Sequence, residues 1–382
     1  MNKMQNHMHD EKKYMSLAVS LAEKGRGSVN PNPLVGAVIV KDGEVIGRGF
    51  HQKYGTLHAE RNALSACKKD PAGGTMYVTL EPCCHHGKTP PCTQAIIESG
   101  ITRVVIGSCD PNPLVAGKGI RKLKDAGIEV VRDFCREECD SLNPVFFHYI
   151  ATKTPYVTLK YAMTLDGKIA TKAGMSKWIS GEESRAHAHK FRSENMAIMV
   201  GINTILKDDP NLTCRHSMGL SPVRIVCDTH LRTPLNSNIV VTAKQMSDKY
   251  RWPRTIIATA VRDEKLLKPY KDSGIVFVHV EKEDDGHISL PLLMNKLGNM
   301  QIDSLILEGG GLLSWSALKS GIVRKVQTYL APKIFGGGDA PTPVAGLGKE
   351  LPDDAFKLKN VKLERIGKDI FLEGEIEQCS QA

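Results

Sequence analysis

The sequence contains no apolar run that approaches the roughly 20 residues needed to span a bilayer as a helix. Its first residues, MNKMQNHMHDEKK, are polar and lead into no apolar segment of the kind that a signal peptide carries. We find no internal repeat and no low-complexity tract beyond the polar ends. These absences argue against a membrane or secreted protein. We therefore expect a cytoplasmic protein whose ten cysteines are reduced.

The sequence also lacks a basic tract and is poor in aromatic residues. Lys and Arg number 51 against 42 Asp and Glu, a net charge of +9, but the basic residues are scattered along the chain. Only 5% of the residues are aromatic, and three are Trp. This balance suits a small anionic substrate at least as well as nucleic acid. We expect neither a nucleic-acid nor a membrane partner.

A length of 382 residues exceeds the usual size of one hydrophobic core, so two domains are expected. In the first half, the patterning predicts a helix over 11–24, a hairpin around Lys41-Asp42-Gly43, and then helices alternating with strands. These further elements are helices at 58–69, 92–99 and 117–126 and strands at 75–80, 103–108 and 128–132.

A boundary near residue 150 is predicted because residues 133–155 contain Pro144 and Pro155 and lack a clean strand period. We therefore expect domains at 1–150 and 151–382, both of the α/β layer type. The strands predicted for the second domain are PYVTLKYAM, AIMVG, VRIVCD, TIIATA, GIVFVHV, SLILEGG, KVQTYLAP and KDIFLEGEIE.

The segment TLEPCCHHGKTPPC, residues 79–92, holds more soft metal ligands than one ion can use. His58 is predicted to open a helix, Cys83 to end a strand and Cys92 to open another helix. Zinc deaminases hold their metal with one His and two Cys, keep a fourth position for water, and use a nearby Glu that is not a ligand. Glu60, two residues after His58, matches that Glu.

The spacing leaves an alternative open. The usual second half of the deaminase motif is P-C-x2-C, whereas eight residues separate Cys83 from Cys92 here. If Cys84 and His85 were ligands as well, the site would be a closed structural zinc site. That alternative leaves Glu60 unexplained, and the adjacent side chains of Cys83 and Cys84 diverge.

The motifs HAE, TLEPCCHHGKTPPC and DPNPLVAGKGI, followed by LKYAMTLDGKIAT, SKWISG, LKDDPNLTCR and LEGGG, resemble the bifunctional pyrimidine deaminase/reductase family of bacterial riboflavin biosynthesis. The resemblance covers nearly the whole chain. It implies a cytidine-deaminase-like α/β/α domain, then a dihydrofolate-reductase-like α/β domain. It also implies that His58, Cys83 and Cys92 hold one zinc ion, and that Cys84 stands where relatives often carry Ser.

The same resemblance implies the first reaction, hydrolytic removal of an exocyclic amine from a phosphorylated aminopyrimidine, with Glu60 as the catalytic base. Four residues are similar to family positions that contact the base or phosphate. Asn32 would also be explained by a turn between two prolines, and His51 by a surface histidine with satisfied hydrogen bonds. The four residues are Asn32, His51, His85 and Lys88.

In the second half, LILEGGGLLSWSAL predicts a strand, a glycine turn and a helix, whose first amides could bind phosphate. The spacing is not that of a dinucleotide-binding GxGxxG motif, and a plain turn would also explain the glycines. The resemblance implies that they contact NADPH, which reduces a ribosyl group to ribityl.

Further reductase residues follow from the resemblance alone. Lys160 would be a catalytic group near the ribose. The two arginines among the substrate residues suit a phosphate. The implied substrate residues are Ser176, Arg192, Leu212, Arg215 and Glu308. The implied cofactor residues are Ala162, Trp178, Thr204, Asp208, Gly309, Gly310 and Gly311.

Other features carry no functional prediction. Cys135 and Cys139 lack further ligands and are interpreted as plain thiols, and His187 and His189 as surface residues on different sides of a helix. Two rival functions are a nucleic-acid deaminase, which the missing aromatic and basic groove argues against, and a noncatalytic zinc-stabilised binding protein. Apart from the substrate, the partners expected are further copies of the chain in a homo-oligomer.

Overall fold

The computed structural model describes residues 2–85, 90–112, 115–215, 220–244 and 255–377. The chain divides into two compact units, Met1–Lys153 and Thr154–Ala382. Among the described residues, no helix combines the length and apolar character needed to cross a membrane.

In the described part of the N-terminal unit, five strands form one sheet in the order β2-β1-β3-β4-β5. The predicted hairpin is confirmed, with β1 antiparallel to β2 and to β3, whereas β3, β4 and β5 are parallel. The strands are β1 Gly36–Lys41, β2 Glu44–Phe50, β3 Thr75–Leu80, β4 Arg103–Ser108 and β5 Glu129–Val131. The helices are α1 Asn2–Ala22, followed by a 3-10 turn Glu23–Gly25, α2 Ala59–Ser65, α3 Cys92–Glu98, α4 Lys118–Asp125, α5 Arg136–Asp140 and α6 Pro144–Thr152.

Alternate residues of β1 face two different cores. Ala37 and Ile39 pack on one side with the buried residues of α2, α3 and α4, and Val38 and Val40 pack on the other with α1. Strand side chains alternate between faces, so this sheet is covered by helices on both sides. α1 lies so close to β1 that a Cβ at Gly36 would come within 1.9 Å of the Ala18 carbonyl oxygen.

The described part of the C-terminal unit forms a sheet of nine strands in the order β10-β9-β8-β7-β11-β6-β12-β14-β13. The pairs are parallel from β10 to β12, and β14 is antiparallel to both of its neighbours. The strands are β6 Tyr156–Thr164, β7 Ala197–Gly201, β8 Val223–Cys227, β9 Thr255–Thr259, β10 Val276–His279, β11 Ser304–Leu307, β12 Val323–Ala331, β13 Leu358–Ile366 and β14 Asp369–Ile376.

Helices of this unit follow individual strands and bury apolar residues against both sheet faces. Because the central strands are parallel, their carboxyl ends meet at one edge, where ligands bind in open α/β sheets. The helices are α7 Glu182–Glu194, α8 Ile202–Asp208, α9 Asn238–Val241, α10 Glu264–Asp272, α11 Leu290–Asn299 and α12 Gly311–Lys319, with a 3-10 turn Pro352–Asp354.

The patterning misses one strand and misplaces the end of another. β13 is an exposed edge strand in which a register irregularity between Lys359 and Lys362 breaks the alternation of apolar residues. β3 ends at Leu80, so Cys83 follows the strand and does not end it. The segment interpreted as lacking strand period, 133–155, contains the helices α5 and α6.

Candidate active sites

Three soft ligands meet in the N-terminal unit. The ligand atoms of His58, Cys83 and Cys92 all lie within 4.8 Å of one another, with His58 Nδ1 at 3.6 Å from Cys83 Sγ and 3.5 Å from Cys92 Sγ. Within the described residues, no second such group of three His, Cys, Asp or Glu side chains occurs. Cys84, the sequence neighbour, is not part of the group.

Two helix starts and one loop position these ligands. His58 is the N-cap of α2, and Cys92 is the first residue of α3, as predicted. The Cys83 loop is tied to α3 because Cys92 N–H donates to Cys83 Sγ (3.4 Å) and Thr93 N–H to Cys83 O (3.1 Å). A hydrogen bond with Cys92 lowers the pKa of the Cys83 thiol well below its usual value, which favours the thiolate that zinc binds.

This donor set fits zinc. One imidazole nitrogen and two thiolates are the protein ligands of catalytic zinc sites that keep a fourth position open. Two of the ligands, His58 and Cys83, line a cavity of about 240 Å³, which Glu60 also lines. A closed structural site would need a fourth protein ligand, and the described residues contribute three.

Glu60 lies in the first turn of α2 and is only 3% exposed. Burial raises the pKa of this carboxyl to about 6, and the neighbouring Cys83 adds to the rise. A buried carboxyl at the wall of a cavity can exchange protons with a bound molecule near neutral pH.

Asn32 and His51 form one hydrogen-bonded pair at the same cavity. Because a carbonyl only accepts, His51 Nδ1–H must donate to Leu57 O (3.1 Å), and the neutral ring then accepts from Asn32 Nδ2 at Nε2 (3.1 Å). Burial lowers the pKa of His51, which agrees with a neutral ring. His51 is 3% exposed, so the alternative interpretation of it as a surface histidine is wrong. Because Asn32 uses its Nδ2 in the hydrogen bond with His51, its side-chain carbonyl oxygen is not engaged in that bond.

The two remaining residues predicted for the deaminase site, His85 and Lys88, differ in whether the structure describes them. His85 lines the cavity and is exposed, whereas Lys88 lies outside the described residues. Asp110 and Asn112 also line the cavity, and the sequence reasoning assigned them no role. The signal was present in DPNPLVAGKGI, because a polar segment directly after β4 lies at the carboxyl end of a parallel strand. Burial raises the pKa of Asp110 to about 6.

In the C-terminal unit, a cluster of largely buried charges joins β6, α7 and the segment after β11. Arg192 donates to both carboxylate oxygens of Glu308 (2.9 and 2.7 Å), and Lys160 Nζ lies 3.7 Å from Glu308 Oε2. All three side chains are between 14% and 16% exposed. Burial alone would raise the pKa of Glu308, but Arg192 and Lys160 hold it at about 2, so the carboxylate is ionised.

The two arginines predicted to suit a phosphate differ in their surroundings. Arg192 is engaged with Glu308, and its third nitrogen donates to Thr213 O (3.3 Å). Arg215 is exposed. Leu212 has a positive φ of 52° and a side chain buried in the core, so only its backbone can meet a ligand.

The interpretation of His187 and His189 as surface residues is wrong. His187 Nδ1 lies 2.8 Å from the Tyr329 hydroxyl, and His189 Nδ1 accepts from Arg215 N–H (3.3 Å). Both rings are half-buried, and burial lowers the pKa of each. Their helix packs against β12 and the Arg215 segment, a contact that helical periodicity alone does not reveal.

Ser176 and Trp178 lie on the loop before α7. The Trp178 ring is 56% exposed and carries the Arg185 guanidinium at 4.7 Å from its centroid. Lys333 fixes the loop by donating to Trp178 O and Ile179 O, both at 2.8 Å. Ala162 is half-buried within β6.

A second cavity, of about 260 Å³, opens at the carboxyl ends of β7 and β8 and at the start of α12. Thr204, Gly310 and Gly311 line it, whereas Gly309 and Asp208 do not. Gly310 has an ordinary φ of −73°, and a Cβ there would meet nothing within 4 Å. The protein's own packing therefore does not require this glycine. Its missing side chain leaves room for a ligand beside the first amides of α12, which fits a dinucleotide phosphate.

Comparison with known proteins agrees with both halves of the chain. Residues 8–108 match the cytidine and deoxycytidylate deaminase zinc-binding region, and residues 155–372 match the RibD C-terminal domain. The riboflavin biosynthesis protein RibD of Actinobacillus pleuropneumoniae is 54% identical over 360 residues, covering 94% of each chain. RibD of Aquifex aeolicus is 44% identical, covering 95% of this chain and 97% of its own.

Solved structures show the same fold over nearly the full length. Acinetobacter baumannii RibD superimposes with a TM-score of 0.85 at 34% identity, covering 97% of this chain and all of that one. A Thermotoga maritima protein named as a diaminohydroxyphosphoribosylaminopyrimidine deaminase/5-amino-6-(5-phosphoribosylamino)uracil reductase has a TM-score of 0.81 at 38% identity, covering 97% and 99%. With both domains matched in order, the chain belongs to the RibD family, the bifunctional zinc-dependent deaminases and NADPH-dependent reductases of riboflavin biosynthesis.

Proposed function

We propose that the N-terminal unit deaminates 2,5-diamino-6-ribosylamino-4(3H)-pyrimidinone 5′-phosphate and that the C-terminal unit reduces the ribosyl chain of the product to ribityl. The observation that carries the proposal is the group of His58, Cys83 and Cys92, two of which line one cavity together with the buried carboxyl of Glu60. The substrate is that named for the Thermotoga maritima relative. A cytoplasmic location and a homo-oligomer stay predictions.

In the deaminase unit, His58, Cys83 and Cys92 would hold zinc, which supplies the Lewis acidity that activates water at neutral pH. Glu60 accepts one proton from the attacking water and passes it to the ring nitrogen. It then takes the proton of the new hydroxyl group on the ring carbon and passes it to the leaving amine. The reaction exchanges a C–NH2 bond for a C=O bond and releases ammonia. Asn32, oriented by neutral His51, offers its carbonyl oxygen to the substrate.

His85, which also lines the cavity, and Lys88, three residues further along the sequence, would contact the base or phosphate. The zinc-only alternative, a noncatalytic binding protein, does not account for Glu60, whose buried carboxyl faces the cavity at a cost in solvation.

In the reductase unit, bound NADPH would supply the reducing equivalents, and Thr204, Gly310 and Gly311 would hold it at the second cavity. Further contacts outside the lining of that cavity would come from Ala162, Trp178, Asp208 and Gly309. Lys160 and Glu308 place a proton donor and an acceptor side by side at the carboxyl edge of the sheet. Arg192 keeps Glu308 ionised and oriented. Arg215, exposed and held through its backbone by His189, would bind the substrate phosphate, with Ser176 and the Leu212 backbone as further contacts.

The proposal is tested by supplying the diaminopyrimidine ribosyl phosphate with and without NADPH. Ammonia should be released in both cases, and NADPH should be oxidised only after deamination has begun. Supplying the deaminated intermediate should abolish any lag in NADPH oxidation. Oxidation of NADPH without ammonia release would contradict the proposed order of the two reactions.

A further inference from the structure

The second cavity, where Gly310 and Gly311 would hold the dinucleotide, is also lined by a cation to which the proposed reaction assigns no role. Arg232 lines the cavity together with Gly310 and Gly311 and is exposed. Its Nη2 donates to Asn203 Oδ1 (3.3 Å), at the start of α8. The described residues form 14 ion pairs, and Arg232 takes part in none of them. His230, two residues before it, lines the same cavity.

Buried hydrogen bonds fix the loop that carries Arg232. Asp228, directly after β8 and 0% exposed, accepts from both Thr233 N–H and the Thr233 hydroxyl at 2.8 Å. Tyr270 donates its hydroxyl to Thr233 O (2.6 Å). Leu231 takes a positive φ of 55°, which closes the turn between them. An exposed arginine is thus carried on a backbone held in one conformation, which lowers the entropic cost of binding a ligand.

Charges of both signs line this cavity, so an anionic ligand group is not bound equally well at every position within it. Glu283 and Asp285, from the segment before α11, also line it. Asp285 Oδ1 accepts from His287 N–H (2.9 Å), which keeps this carboxylate within its own turn. Arg232 is drawn to the α8 side by Asn203. A ligand phosphate would therefore be favoured beside Arg232 and disfavoured beside the two carboxylates.

We propose that Arg232 recognises the 2′-phosphate of NADPH and thereby sets the preference of the reductase unit for NADPH over NADH. The two dinucleotides differ only in that phosphate, and a guanidinium can donate two parallel hydrogen bonds to it. The inference rests on the proposed placement of the cofactor at Gly310 and Gly311. His230 supports it as a second donor on the same loop.

The test is calorimetric titration of the full chain with NADPH, NADH and 2′,5′-ADP. Arg232→Gln should weaken the binding of NADPH and of 2′,5′-ADP by about tenfold or more, and it should leave NADH binding nearly unchanged. Arg365→Gln, on the edge strand β13 and outside the cavity, is the matched control and should change none of the three affinities.

A second variant separates this inference from the placement on which it rests. Gly310→Val adds a side chain where the protein leaves space, so the fold should persist while NADPH and NADH both lose affinity. If Arg232→Gln weakens both dinucleotides equally, or neither, the assignment of Arg232 to the 2′-phosphate is overturned. If Gly310→Val leaves both affinities intact at an unchanged thermal midpoint, the proposed cofactor placement fails instead.

Discussion

At the scale of single residues, two adjacent cysteines have different surroundings. Cys83 Sγ accepts from the first amide of α3 and lies beside His58 Nδ1, whereas Cys84 is outside the group of three ligands. Successive side chains point apart, so both thiols cannot easily reach one tetrahedral ion. Among the described residues from Cys83 to Cys92, the two end residues alone therefore belong to the proposed zinc site.

We predict that Cys84→Ser keeps zinc content and ammonia release close to those of the wild type, whereas Cys83→Ser and Cys92→Ser lose the metal. Serine conserves size but replaces the thiolate that zinc prefers. Zinc per chain is measured by atomic emission after dialysis, with deamination followed in parallel. Loss of zinc from the Cys84→Ser protein would contradict the proposed ligand set.

At the scale of elements, one carboxylate joins the end of β3 to the start of α4. Glu81 is 3% exposed, and it accepts from Gly117 N–H (3.0 Å) and Ile120 N–H (3.2 Å), two donors that have no partner inside the helix. A Cβ at Gly119 would lie 2.2 Å from Pro82 O, so α4 packs directly on the segment that leads to Cys83. The helix start and the metal loop therefore stabilise one another.

We predict that Glu81→Ala lowers the free energy of unfolding by about 1–3 kcal/mol, because two buried amide donors lose their acceptor. Urea unfolding followed by circular dichroism measures the loss. Glu137→Ala, an exposed residue of α5, is the control and should stay within about 0.5 kcal/mol of the wild type. An equal effect of the two substitutions would show that the Glu81 hydrogen bonds contribute little to stability.

At the scale of the whole molecule, the two compact units carry different sets of chemical groups. Glu60 and the three soft ligands belong to residues 1–153, and Lys160, Arg192 and Glu308 belong to residues 154–382. Each unit has a cavity, and the described residues that line it belong to that unit. Separate sites predict that one reaction can be removed without the other.

We predict that Glu60→Gln lowers deamination by about 100-fold or more, as loss of a general base does, and still oxidises NADPH on the deaminated intermediate. Trp178→Ala should show the reverse, with NADPH oxidation lost and ammonia release retained. Both reactions are measured on the full chain, with zinc content as a check on folding. If Glu60→Gln abolished NADPH oxidation on the intermediate while keeping its zinc, the two-site model would be wrong.

Much of the architecture was predictable because it depends on residues that are close together in the sequence. Strands 75–80, 103–108 and 197–201 have the predicted bounds, and the hairpin around Lys41-Asp42-Gly43 forms. Buried parallel strands are short apolar runs, and a tight turn needs its glycine, so neighbouring residues are enough to recognise them. β13 was not predicted, because this exposed edge strand has an irregular register and its apolar and polar residues do not alternate regularly.

By itself, the sequence determined which residue types were available for chemistry: a dense soft-ligand segment, a Glu two residues after a His, and glycines at a strand-to-helix turn. Only the tertiary structure decided which of them meet. It paired Arg192 with Glu308 across 116 positions, placed His189 against Arg215 and brought Arg232 to the same cavity as Gly310. Such contacts depend on strand order and helix packing, which bring distant segments together, and no local pattern in the sequence records those distances.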